Sequence, residues 1–226
     1  AARFSGAAVA VCVLSVLTLA LVNCRSAEKG EGVSRIGRVS ERVGDEIMVA
    51  GRLVHTGAPV VLWFDPGGYD AYRVERRFAP REESGWSMIA EAIGSPNRYS
   101  TRRRGLDDDD LERVRGGGWT LEDVQQTVDQ FVIHYDVCGT SRQCFKVLHD
   151  LRGLSVHFLL DIDGTIYQTL DVKEKAWHAT KANDRSVGVE IAHIGAYPSI
   201  EGTPLEEWYA PDERGLRVNL PGWMGD

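Results

Sequence analysis

The stretch from Phe131 to Tyr197 constrains this chain more than any other, because it alternates short apolar runs with turn residues and sets histidines inside those runs. It reads FVIHYDVCGTSRQC, LSVHFLLDIDGTIYQTL, KAWHATKAND and RSVGVEIAHIGAY in succession. Short runs rich in β-branched and aromatic residues, bounded by glycine and aspartate, are strands. VHFLLDI and TIYQTL flank Asp163-Gly164, a dipeptide suited to a two-residue hairpin turn. Period-two alternation in FVIHYD puts Phe131, Ile133 and Tyr135 on one face and Val132, His134 and Asp136 on the other. In SVGVEIAHI the same count separates Val187, Val189 and Ile191 from Gly188, Glu190 and Ala192. A carboxylate between two residues too small to cover it needs a cleft, since burying an unpaired charge is costly. Glu190 is therefore the first candidate for chemistry, against the alternative of a salt-bridged structural glutamate. His134 is either a satisfied core histidine or a ligand.

Two helices punctuate these strands. Thr120 starts TLEDVQQTV as an N-cap, with Asp123 three residues on in a weak version of the capping box. Cys144 to Leu151 reads as a second, short helix. Upstream, Glu46 to Leu53 and Val60 to Phe64 look like strands joined by the turn HTGAP, and His55 beside that turn reads as structural. Ser95 to Gly118 carries arginines 102 to 104, aspartates 107 to 110 and three closing glycines. It is expected to be a solvated loop or short surface helix, with an arginine-lined edge facing an anionic polymer as the sharper alternative.

Charge narrows the function classes. At a net charge of -7 the chain lacks the basic field that nucleic-acid recognition requires, so no nucleic-acid partner is expected. Ala7 to Val22 is an uncharged run preceded by Arg3, about the length of the apolar region of an export signal and slightly short for a membrane span. Its end, Leu21-Val22-Asn23-Cys24, resembles a bacterial lipoprotein signal, in which the cysteine is lipidated, although Asn23 departs from the usual small residue. Lipidation of Cys24, a cleaved signal and an uncleaved anchor all follow from this run. The expected location is the cell envelope, periplasmic and membrane-anchored, or the exterior. Cys138 and Cys144 are the only cysteines in the body, with five residues between them. Export favours a disulfide between them; the other arrangement is two buried thiols.

VIHYD, SVHFLLDIDGTIYQ, AWHA, Asn183 and SVGVEI, in this order, resemble the zinc-dependent N-acetylmuramoyl-L-alanine amidases, a superfamily that includes the peptidoglycan recognition proteins. The resemblance spans about residues 121 to 200. It implies an α/β fold, a central mixed β-sheet flanked by helices, preceded by the signal and a partly extended N-terminal region. The organisation expected is a signal over 1–24, a region of unknown role over 25–120 and an amidase domain over 121–226, incomplete at its C-terminus.

The implied activity is hydrolysis of the amide between N-acetylmuramic acid and L-alanine, with peptidoglycan or muropeptides as substrate and zinc as cofactor. His134 matches the first zinc ligand, and the other two ligands are expected beyond Asp226. Glu190 matches the glutamate general base; the tyrosine that another branch of the family uses falls here at Val156. His178 and Asn183 match groove residues, His157 matches a position close to the metal and is counted with the substrate-binding set, and His149 and His193 match nothing functional. The Cys138 and Cys144 spacing is similar to a disulfide of the recognition proteins. The same groove without a complete metal site would make a non-catalytic peptidoglycan-binding module. A cysteine hydrolase built on Cys144 is the third reading.

Overall fold

The computed structural model describes residues 42–73, 99–115 and 118–224, so the Ala7–Val22 run and Cys24 lie outside the described residues. Among the described residues there are eleven strands: β1 (Glu46–Val49), β2 (Arg52–His55), β3 (Val60–Leu62), β4 (Ser100–Thr101), β5 (Gln130–Tyr135), β6 (Phe158–Leu160), β7 (Ile166–Gln168), β8 (Glu174–Lys175), β9 (Ser186–Ile191), β10 (Tyr209–Asp212) and β11 (Gly215–Val218). The helices are α1 (Asp108–Arg115), α2 (Leu121–Thr127), α3 (Ser141–Phe145) and α4 (Pro204–Trp208). A π-helical turn, Lys146–Leu151, continues α3.

Five strands form the central sheet in the order β3-β7-β6-β9-β5. β5 and β6 run parallel to β9, β3 runs parallel to β7, and β6 and β7 are antiparallel, so the sheet is mixed as expected. β3 precedes position 121 in the chain, and the sheet therefore draws strands from both sides of that position. Alternation gives the sheet two faces. Phe158, Val187 and Val189 share one with Val114 of α1, Trp119 and Val124 of α2, packed against Ile47 and Val49 of β1. Val156 and Leu159 meet Cys144 and Phe145 of α3 on the other. The first face is open towards the β5 edge. Phe131 and Ile133 are 61% and 64% exposed, and with Ile47, Leu160, Ile166 and Ile191 they line an apolar groove of about 360 Å³.

Local chemistry accounts for the starts of two helices. The Thr120–Asp123 capping box is complete: Thr120 Oγ1 accepts from Asp123 N–H at 3.2 Å, and Asp123 Oδ2 accepts from Thr120 N–H at 2.8 Å. Arg113 binds both Asp123 oxygens, at 2.8 and 2.9 Å, and ties α1 to α2. The second helix begins at Ser141, capped by Thr140, three residues before the expected start.

Two turns differ from expectation. Asp161 and Thr165 are joined by a backbone hydrogen bond, so the β6–β7 hairpin closes through three residues with Gly164 at φ 86°, a bulged turn rather than a two-residue one. Glu46 to Leu53 is not one strand but a hairpin, broken where Ala50 and Gly51 take φ 50° and 74°. Buried side chains hold that hairpin to the sheet. Gln168 mimics a peptide group towards Met48, accepting from its N–H at 2.6 Å and donating to its carbonyl at 2.8 Å, while Asp171 accepts from Ala50 and Gly51 N–H at 2.8 Å each.

Candidate active site

Parallel pairing of β5 with β9 sets His134 opposite Glu190 and Val132 opposite Gly188. Both functional side chains therefore rise from the same sheet face, away from the Phe158–Val189 core. Glu190 is 9% exposed, and His134 is half-buried. The cleft expected over Gly188 is filled: a Cβ there would lie 2.5–2.8 Å from the ring of His178. Gly188 is a seat for that imidazole. His178 Nδ1 stands 3.3 Å from His134 Nε2, and its Nε2 is 3.4 Å from Ser186 Oγ. The two rings meet edge to face at 5.5 Å. Asn183 Oδ1 accepts from His178 N–H at 3.1 Å and Ala179 N–H at 2.7 Å, fixing the loop that presents the ring.

Asn183 is 3% exposed and acts through this backbone, not through a surface of its own. His157, expected among the substrate-binding residues, is fully buried. Its Nδ1 accepts from Gly188 N–H at 3.2 Å, and its Nε2 lies 3.0 Å from Glu174 O and 2.9 Å from Arg102 Nη2. A ring so enclosed offers nothing to a ligand; it supports β9 from beneath.

Burial, and then the nearby charge of Asp136, push the Glu190 carboxyl up to about 7, with Arg152 opposing. Asp136 Oδ1 accepts N–H bonds from Cys138, Gly139 and His193 at 2.9, 3.2 and 3.0 Å, yet burial still raises its pKa. Its Oδ2 is buried without a protein partner among the described residues. Desolvation lowers His134, takes His178 down to about 4 with help from His134 and Arg102, and takes His157 well below the ordinary range. Near pH 7 the three imidazoles are thus neutral, which leaves a lone pair on each ring.

Cys138 and Cys144 are free thiols, so the expected disulfide is not formed. They touch as a hydrogen-bonded pair in the cluster around Phe145, where buried thiols pack as small hydrophobes. That bond, together with burial, raises the Cys144 thiol strongly; the same bond lowers Cys138 against the opposing effect of burial, so the proton stays on Cys144. A buried, protonated thiol is a poor nucleophile, which removes the basis of the cysteine-hydrolase reading. Val156 is 2% exposed and apolar, so the tyrosine of the other family branch has no counterpart here. His149 stacks on Phe145 at 4.8 Å in the core, consistent with a structural role.

A catalytic zinc takes about three protein ligands, with Zn–N near 2.0–2.1 Å and tetrahedral geometry. His134 Nε2 and His178 Nδ1, neutral and 3.3 Å apart, have the chemistry and spacing of two such donors. No third donor joins them among the described residues, where the one cluster of three metal-ligating groups is Asp45, Glu46 and His55. That cluster lies on the β1–β2 hairpin, which packs against the opposite face of the sheet. Its charges are already matched: Asp45 Oδ1 is 2.7 Å from His55 Nδ1, and Glu46 accepts Val43 and Gly44 N–H beside Arg42.

The mixed sheet thus presents neutral imidazoles and a raised carboxyl from adjacent strands, a set of groups able to take up and hand on a proton. Residues 124–216 match the family described as N-acetylmuramoyl-L-alanine amidase, and the match supports the superfamily that the motifs of this stretch resemble. A comparison with curated proteins found no match.

Proposed function

We propose that the chain is a peptidoglycan amidase that hydrolyses the bond between the lactyl group of N-acetylmuramic acid and L-alanine. The observation that carries this reading is Glu190, nearly buried and directly across the β5–β9 pair from His134. His134 would hold zinc, with the His178 nitrogen beside it. When bound, zinc polarises the scissile carbonyl and acidifies its water. Glu190 accepts the proton of that water and returns it to the departing amine; a carboxyl near pH 7 suits both transfers. Gly188 and Asn183 keep His178 in line with His134. We place the protein in the cell envelope or outside the cell, on the strength of the Ala7–Val22 run, with Cys24 as the lipid-bearing residue. Among the described residues no helix is long and apolar enough to cross a membrane.

The two-nitrogen donor set favours a second reading, a module that binds peptidoglycan without cutting it. Incubation of the chain with purified muropeptides and zinc separates the two. Release of peptides with a free L-alanine amino terminus, lost in His134→Ala and reduced about 100-fold or more in Glu190→Gln, supports the amidase. Muropeptide binding with no cleavage and no bound zinc would establish the binding module instead.

A further inference from the structure

Arg102 belongs to the stretch expected to be solvated, yet it is completely buried. It follows β4 directly and lies outside the 124–216 family match. Its Nε and Nη2 donate to Val172 O at 3.2 and 3.1 Å, Nη1 donates to Asn183 O at 3.1 Å, and Nη2 also donates to Ser186 O at 2.9 Å. Among the described residues it makes no ion pair; Glu174 and Asp184 act on it only from longer range. Burying a lone guanidinium is unfavourable, and an apolar side chain would fill the space at lower cost. What the guanidinium alone supplies is a rigid planar set of donors that fixes several carbonyls at defined angles.

Those carbonyls lead to the site. Asn183 holds the loop carrying His178, and Ser186 starts β9 with its hydroxyl 3.4 Å from His178 Nε2. Nη2 also lies 2.9 Å from His157 Nε2, and the same ring receives the Gly188 N–H beneath His178. Two residues that contact His178, Asn183 and Ser186, are thus bonded directly by Arg102. We propose that Arg102 is a positioning residue of the candidate site: its guanidinium fixes the Asn183 and Ser186 carbonyls and packs against the His157 ring, and through them holds the His178 imidazole against His134. The catalytic meaning of this arrangement rests on the amidase reading; the arrangement itself does not.

Two-bond 1H–15N spectra of the histidine rings in the labelled full chain test it without any activity assay. Arg102→Met keeps length and removes every donor. In that variant the ring signals of His178 and His157 are expected to shift or broaden, while those of His149 and His193 and the backbone amides of the central sheet stay in place. Arg102→Lys, which returns a cation without the planar fork, should restore the signals only partly. Unchanged His178 signals in a folded Arg102→Met chain would overturn the proposal, and so would equal shifts at all the described histidines. If Arg102→Met does not fold, the parent chain decides: the Arg102 Nε–H should be the slowest-exchanging guanidinium proton, with cross-relaxation to the His157 ring. A rapidly exchanging Arg102 Nε–H would refute the assignment. Retained ring order without muropeptide cleavage would count against the amidase reading alone.

Discussion

Glu190 costs the fold stability in return for its chemistry, and pH reveals the sign. Its carboxyl titrates near 7 in the fold against 4.5 for an unperturbed glutamate, so the fold favours the protonated form. The contribution of Glu190 to stability is therefore most favourable below about pH 4.5 and declines as pH rises through 7, by about 3 kcal/mol in total at about 1.36 kcal/mol per pKa unit. Glu190→Gln removes that penalty. Urea denaturation should show the variant more stable than the parent at pH 8 and little different near pH 4; equal stability at pH 8 would contradict the raised carboxyl. Gly188 makes the complementary case. An alanine Cβ would collide with the His178 ring, so Gly188→Ala should cost about 1–3 kcal/mol and displace that ring, seen as a changed His178 signal in a chain that still folds.

Among the elements, the capping box of α2 was readable because its signal is local: Thr120 and Asp123 are three residues apart and bond each other. Thr120→Ala should destabilise the fold by about 1 kcal/mol, measured as a shift in the denaturation midpoint. Asp123, held well below the usual carboxylate range by Arg113, stabilises the fold above the unfolded pKa near 3.8 and stops doing so as pH falls through its lower folded value. Asp123→Asn should therefore weaken the protein at pH 6 and matter less in strong acid. An unchanged pH 6 midpoint would show that the box contributes nothing. Alternation likewise gave the faces of β5 and β9, and with them the His134–Glu190 pairing. The hairpin break at Ala50-Gly51 was not readable, because alanine seldom adopts positive φ and the hairpin is held by Gln168 and Asp171, more than 110 positions away. Arg102 and His157 were misplaced for the same reason. Their burial comes from carbonyls of distant loops, which no local pattern announces.

For the molecule as a whole, the two sheet faces have different fates. One carries the candidate site; the other exposes Phe131 and Ile133 beside an apolar groove on the edge strand. Exposed apolar surface of this kind binds hydrophobic dyes. The folded chain should enhance the fluorescence of anilinonaphthalene sulfonate, and Phe131→Lys with Ile133→Lys should reduce it while leaving the Glu190 side unchanged. An unaltered dye signal in the double variant would place the apolar surface elsewhere.

The central claim is that Glu190 is a desolvated base set across from a metal-binding histidine. The most direct test is a 13C titration of the Glu190 carboxyl in the metal-free chain, with the resonance assigned by its loss in Glu190→Gln. The account predicts a midpoint near 7 that falls when zinc is added and fails to fall in His134→Ala. A midpoint near 4.5, indifferent to zinc and to His134, would contradict it.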